Sequence, residues 1–185
     1  EGPGVARVEA GVDTEGKPRR MVVFIDGVAP GDRVEAEIFS LRHGLARARV
    51  KRFLEYGPAR IKPRCQHFGI PTDEAGTPCE FLDEGGFNPQ INCGGCSWQF
   101  LDYTAQLKVK NDLVRDALQR IGGFEGALLD AVWQPIMGAE SPWHYRNKMD
   151  FSIVVDRDGK RHVGLHMKGR FNDVTEIREC HLFRP

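Results

Sequence analysis

The chain has 185 residues, with 26 Lys plus Arg and 26 Asp plus Glu, so its formal charge is zero with His neutral. A hydrophobic content of 41% and a charged content of 28% are those of an ordinary globular protein, long enough for one or two packed domains. No apolar run approaches a membrane span and no leader-like apolar stretch follows Glu1-Gly2-Pro3-Gly4, so the expectation is a cytoplasmic protein without a membrane partner.

The neutral total sums unlike parts. Residues 1–64 carry 13 basic and 9 acidic groups; residues 65–100 carry 5 acids and no Lys or Arg; residues 101–185 carry 13 basic and 12 acidic groups. Arg42, Arg47, Arg49, Lys51, Arg52, Arg60, Lys62 and Arg64 face one acid, Glu55, within 23 residues. Such an excess attracts a polyanion even from a neutral molecule, although a solvated basic face is the commoner reason for a charge run.

The first ~55 residues read as all-β. Val5–Val8 is short and alternating. Met21–Ile25 is an apolar run closed by the turn pair Asp26-Gly27. Val34, Ala36 and Ile38 alternate with Glu35 and Glu37, and Leu45 to Phe53 continues the alternation with Arg47, Arg49 and Lys51 on one face. Four or five short strands with Gly-rich turns suggest a small barrel, a shape that often holds single-stranded nucleic acid in a basic groove.

Residues 57–64 contain two prolines and read as a stiff linker. Residues 71–86 are acidic, rich in Gly and Pro, and read as an exposed insertion. Phe100, Tyr103, Leu107, Val114, Leu118 and Ile121 recur at helical spacing, predicting a core-facing helix over about 98–121, capped by Ser97 and stopped by Gly122-Gly123. From residue 143 the period returns to two, predicting a β-meander over about 146–178 with a hairpin at Asp156–Gly159.

Five cysteines are present: Cys65, Cys79, Cys93, Cys96 and Cys180. The odd count and the lack of a secretion signal argue against a disulfide framework. In Cys93-Gly94-Gly95-Cys96 the glycines free the backbone to aim both thiolates at one centre. Spacing alone leaves a zinc site and an iron–sulfur cluster both open, with His67, His162, His166 and His181 as further zinc candidates. A thioredoxin-type dithiol would need a βαβ setting that the sequence lacks.

The stretches Arg60–Phe68, Cys93-Gly94-Gly95-Cys96-Ser97-Trp98-Gln99, Tyr145-Arg146-Asn147-Lys148, Val163-Gly164-Leu165 and Cys180 occur in an order that resembles the N-terminal portion of the SAM-dependent RNA uracil-5-methyltransferases. More narrowly, the chain is similar to the bacterial iron–sulfur 23S rRNA 5-methyluridine methyltransferases. The resemblance implies a mainly β, α+β fold: an OB-like TRAM β-barrel that binds RNA over 1–56, a linker at 57–64, and a central iron–sulfur domain over 65–185. It implies a 4Fe–4S cluster on Cys65, Cys93, Cys96 and Cys180. Cys79 is left over; 27 residues separate Cys65 from Cys93, more than the family pattern has, and the flanking His67-Phe68 favours Cys65 over Cys79.

The resemblance further implies an enzyme that transfers a methyl group from SAM to C5 of a uridine in 23S rRNA, with transfer RNA the other candidate. The catalytic cysteine and the SAM-binding Rossmann-like domain have no counterpart before Pro185. The expectation is therefore a fragment with no catalytic and no SAM-binding residue, inactive alone. Arg47, Arg49, Lys51, Arg60, Lys62, Arg146 and Lys148 are the candidate RNA contacts. Phe68, Trp98 and Trp143 are candidate stacking residues, weighed against burial. The other reading is a non-enzymatic zinc or iron–sulfur RNA-binding module.

Overall fold

The computed structural model describes residues 2–12, 15–69, 93–156, 158–168 and 170–184. Cys79 and the acidic stretch 71–86 lie outside the described residues. The fold is mixed α+β, mostly strands with two helices, and none of the described helices is long and apolar enough to cross a membrane.

β1 (Gly4–Val12), β2 (Pro18–Ile25), β3 (Arg33–Arg42) and β4 (Leu45–Glu55) form one sheet in the order β1-β2-β4-β3. β1 and β2 are antiparallel, β3 and β4 are antiparallel, and β2 runs parallel to β4. The alternation in the sequence sets the faces. Val23, Ile25, Ala46, Ala48, Val50 and Phe53 form the buried cluster, while Arg47 and Lys51 stand on the opposite, exposed side of β4. β3 and β4 are joined by His43 and Gly44, both at positive φ (50° and 77°), the backbone that a two-residue hairpin loop requires.

Beyond the sheet, residues 57–64 do not hang as a bare connector. Arg60 pairs with Leu101 in an isolated bridge, Ile61 N–H donates to Phe100 O (2.8 Å), and Asp102 N–H donates to Ala59 O (2.9 Å). Gly57 is required here, because a Cβ would lie 2.3 Å from Pro30 O. A second buried cluster, Ala29, Phe68, Phe100 and Leu101, draws on both sides of this segment.

α1 (Tyr103–Arg120) begins later than its periodicity predicts. Its cap is Asp102 rather than Ser97, the carboxylate accepting from Thr104 N–H (2.9 Å) and Ala105 N–H (3.4 Å). Phe100 is buried ahead of the helix, not on it. The core-facing assignment of the stripe is also corrected: α1 contains no buried residue, and Ile121 is 87% exposed. α2 (Gly126–Val132), too short to show a period, packs beside α1 through the Arg115–Asp130 ion pair and a hydrogen bond from Trp133 Nε1 to Asn111 Oδ1 (3.0 Å).

β5 (Ser152–Val155), β6 (Arg161–Met167) and β7 (Arg170–Glu176) form an antiparallel meander, narrower than the expected 146–178. Gly164 sits where a Cβ would lie 1.9 Å from Thr175 O. His162 is clasped by two carboxylates, Nε2 against Asp156 Oδ2 and Nδ1 against Glu176 Oε1, both at 2.7 Å. The bonds to Asp156 and then Glu176 raise the imidazole pKa, and those to His162 depress both carboxylates.

Two predictions follow from these contacts. Raising the pH through the elevated His162 pKa removes the imidazolium, so stabilisation complete below the ordinary imidazole value is lost on the alkaline side. Amide exchange across β5 and β6 should quicken there, and His162→Gln should flatten that limb. The second concerns Arg60, whose side chain is 5% exposed in an ion pair with the fully buried Asp32. Arg60→Ala should cost about 3–5 kcal/mol in urea unfolding by stranding that carboxylate. Arg60→Lys should restore only part of it, because an ammonium lacks the two-pronged fork.

Candidate metal centre

Three separate stretches of chain, carrying Cys65, Cys93 with Cys96, and Cys180, are hydrogen-bonded together, with Cys65 and Cys96 packed against the second cluster. Cys65 opens a turn closed by Phe68 N–H on Cys65 O (3.1 Å). Cys93 N–H donates to His67 O (2.9 Å) and Gly94 N–H to His166 O (2.9 Å), fastening the Cys-Gly-Gly-Cys turn between the Cys65 segment and the end of β6. Both glycines are needed. A Cβ at Gly94 would lie 2.7 Å from His166 O; one at Gly95 would press on Leu165 Cδ1 (3.2 Å) and Cys93 Sγ (3.4 Å).

Hydrogen-bond donors reach the sulfurs. Gly95 N–H points to Cys93 Sγ (3.4 Å) and Gln99 Nε2 to Cys96 Sγ (3.1 Å). His67 is buried, and its Nε2 accepts from Arg178 N–H (3.3 Å). The neutral ring therefore carries its proton on Nδ1, which faces Cys65 Sγ at 3.8 Å. The Arg178 bond also brings up the chain segment that carries Cys180.

The four cysteines among the described residues are free thiols. Burial pushes the Cys93 thiol up to about 11 and raises those of Cys65 and Cys96. Cys180 adds like-charge repulsion to each of the other three, so the four share one electrostatic neighbourhood. Among the described residues, no three Cys, His, Asp or Glu side chains are spaced to hold a single metal ion. A tetrahedral zinc with Zn–S of ~2.3 Å would bring sulfurs to about 3.8 Å of one another. The donor chemistry of the four residues is that of soft thiolate ligands.

The histidines considered for zinc are otherwise engaged: His162 with its carboxylates, His166 Nε2 with Ser152 Oγ (2.8 Å), and His181 against the Trp143 and His144 rings. His67, the fourth zinc candidate, is held between Cys65 and Arg178, and Gln99 was not singled out for a role in the sequence. The signal for Gln99 is a polar side chain beside the buried Phe100.

The expected RNA contacts fall into four groups. Arg47, Lys62 and Lys148 are exposed, the last 3.3 Å from Asp150. Arg49 lies 4.2 Å over the Phe39 ring, and Lys51 pairs with Glu37 (2.9 Å). Arg60 is corrected outright: its guanidinium is buried against Asp32 and faces the protein interior, out of reach of a phosphate. Arg146 lines an open cleft of about 730 Å³ beside Gly94 and Gly95, together with Lys148, Lys168 and Tyr145. Phe68 is buried in the second cluster rather than presented for stacking, whereas Trp98 packs against that cluster half-buried and Trp143 is half-buried under Arg64.

No family model matches the chain. It is 33% identical over 187 residues to an uncharacterized RNA methyltransferase of Chlorobaculum tepidum, covering 93% of this chain and 32% of that protein. It is 32% identical over 178 residues to one of Porphyromonas gingivalis (88% and 33%), and 35% identical over 162 residues to one of Bacillus cereus (88% and 29%). The chain spans about a third of the length of the curated relatives it matches.

The glycine geometry carries a direct test. Gly94→Ala should cost about 1–3 kcal/mol in thermal or urea unfolding, because the added methyl forces the turn off the His166 carbonyl. Gly126→Ala, whose added methyl meets only Gln119 Nε2 at 3.5 Å, should not lower the unfolding midpoint.

Proposed function

The chain is a relative of proteins named RNA methyltransferases, and on that kinship we propose that it is the RNA-recognition and iron–sulfur portion of an enzyme that methylates uridine at C5 from SAM, with 23S rRNA as the target. The observation that carries the cofactor reading is the hydrogen-bonded joining of the Cys65, Cys93–Cys96 and Cys180 segments, with N–H groups aimed at the Cys93 and Cys96 sulfurs. Four thiolates are the usual ligand set of a four-iron cluster. When bound, the cluster supplies iron–thiolate bonds that cross-link the three stretches of chain. The residues themselves exclude water, orient the sulfurs and hold the Cys180 segment against the Cys65 turn.

In this reading residues 1–56 are a TRAM-like RNA-binding unit, 57–64 the connection, and 65–185 the cluster domain. Arg47, Arg49, Lys51 and Lys62 meet RNA phosphates from one side, and Arg146 and Lys148 from the cleft beside the cysteine turn. Phosphate contacts position the RNA and do not read its sequence. SAM and the reacting base belong to the remainder of such an enzyme.

The test has two arms. Anaerobically purified protein should be brown and carry iron and acid-labile sulfide. Cys93→Ser should lose both and Cys79→Ser neither; a colourless protein with one equivalent of zinc refutes the cluster. RNA affinity should fall with salt at a log–log slope of roughly 0.7 per phosphate contact on single strands. Replacing Arg47, Arg49 and Lys51 together should flatten that slope; an unchanged slope removes the strand from the interface.

A further inference from the structure

We propose that Gln99 is the positioning residue of the four-thiol centre: one buried amide that sets both where the Cys96 sulfur lies and where the Cys65 segment runs. The proposal rests on the metal-binding reading for what the thiols hold, and on hydrogen-bond geometry alone for the clamp.

Gln99 is only 9% exposed, between Trp98 and the buried Phe100. Its Oε1 accepts from Cys65 N–H at 3.1 Å, and its Nε2 donates to Cys96 Sγ at 3.1 Å. The orientation of the amide is forced. A backbone N–H can only donate, so the group facing Cys65 must be the carbonyl oxygen, which turns the NH₂ toward the sulfur. A flipped amide would set two donors against each other at Cys65. The side chain therefore ties residues 34 positions apart at one end to a sulfur three positions away at the other.

Nothing else described in the centre does both. Gly95 N–H reaches only the sulfur of its own turn, and His67 serves Cys65 and the Cys180 segment. The two halves of the clamp can also be separated. Gln99→Glu keeps an acceptor for Cys65 N–H but loses the donor to sulfur and sets a carboxylate beside it. Gln99→Leu loses both.

In metal-free protein, exchange of the Cys65 amide should be at least tenfold faster in Gln99→Leu and close to the parent rate in Gln99→Glu. The exposed Gln66→Leu serves as the control. In cluster-loaded protein both Gln99 variants should show a lower reduction potential than the parent, because a lost N–H···S bond favours the less negatively charged oxidation state. A variant whose circular dichroism matches the parent but which no longer retains iron supports the proposal equally. Unchanged Cys65 exchange in Gln99→Leu, or an unchanged potential in both variants, overturns it. If the parent itself takes up no iron, the cluster reading fails, and the clamp stands or falls on the exchange rates alone.

Discussion

The buried pair between Arg60 and Asp32 is the contact on which the rest of the molecule depends. Arg60 Nε lies 3.0 Å from both Asp32 oxygens, and Nη2 donates to Asp32 Oδ2 (2.6 Å) and to Gly27 O (2.7 Å). Asp32 also accepts from Ala29 N–H (2.6 Å) and Gly57 N–H (2.8 Å). Removing two charges from water is expensive, and only such dense bonding offsets it. The guanidinium lies over the Phe53, Tyr56 and Phe100 rings, at 4.5, 5.4 and 4.8 Å from their centroids. Those faces complement the charge that hydrogen bonds leave unmatched, Nη1 being buried without a hydrogen-bond partner among the described residues. Phe53 and Tyr56 belong to the sheet side and Phe100 to the cysteine side, so one side chain fixes the orientation of both.

The thiol centre inherits its geometry from that joint. Ile61 follows Arg60 and bonds to the carbonyl of Phe100; Gln99 precedes Phe100 and bonds to Cys65 and Cys96. Displacing Arg60 would therefore move Phe100, then Gln99, then two of the four sulfurs. Burial that raises the thiol pKa values comes from the same packing. Neutral thiols can be buried together at little cost, whereas four thiolates repel. In the proposed reading, a thiolate-binding metal group would supply the compensating positive charge, and its loading would release protons.

Much of this was legible in the residues. Alternation in Leu45–Phe53 located β4 with the correct faces, because Ala46, Ala48, Val50 and Phe53 are buried; in Val34–Ile38 it located β3 but not its burial, since only Val34 packs on the core while Ala36 and Ile38 are exposed. The cysteine turn was legible because two glycines between two cysteines have few other uses. Arg60 was misread for a physical reason: a charge count does not say which member of a basic run is folded inside. The partner, Asp32, is 28 positions away, and no local pattern links them. The α1 stripe revealed a helix but not what covers it, since periodicity is blind to tertiary partners. Its start was misplaced because Phe100 is apolar for the second cluster, and it happens to fall in phase with the helix.

The same distinction decides how the basic segment can serve an anion. Arg52–Glu35 (2.7 Å) and Lys51–Glu37 (2.9 Å) are cross-strand pairs at the surface, with every side chain about half exposed. Pairs of that kind contribute about 0–1 kcal/mol and are screened by salt, so a phosphate can compete for the cation at small cost. Arg60 stands at the other extreme, because withdrawing it leaves a buried carboxylate and costs about 3–5 kcal/mol. Arg49 falls between, its guanidinium lying on the Phe39 ring and held there by about 0.5–1 kcal/mol at an exposed site. The eight-cation run is thus one structural arginine and a set of exchangeable charges. The glutamates on β3 then act as placeholders, keeping Lys51 and Arg52 ordered on the face of the sheet.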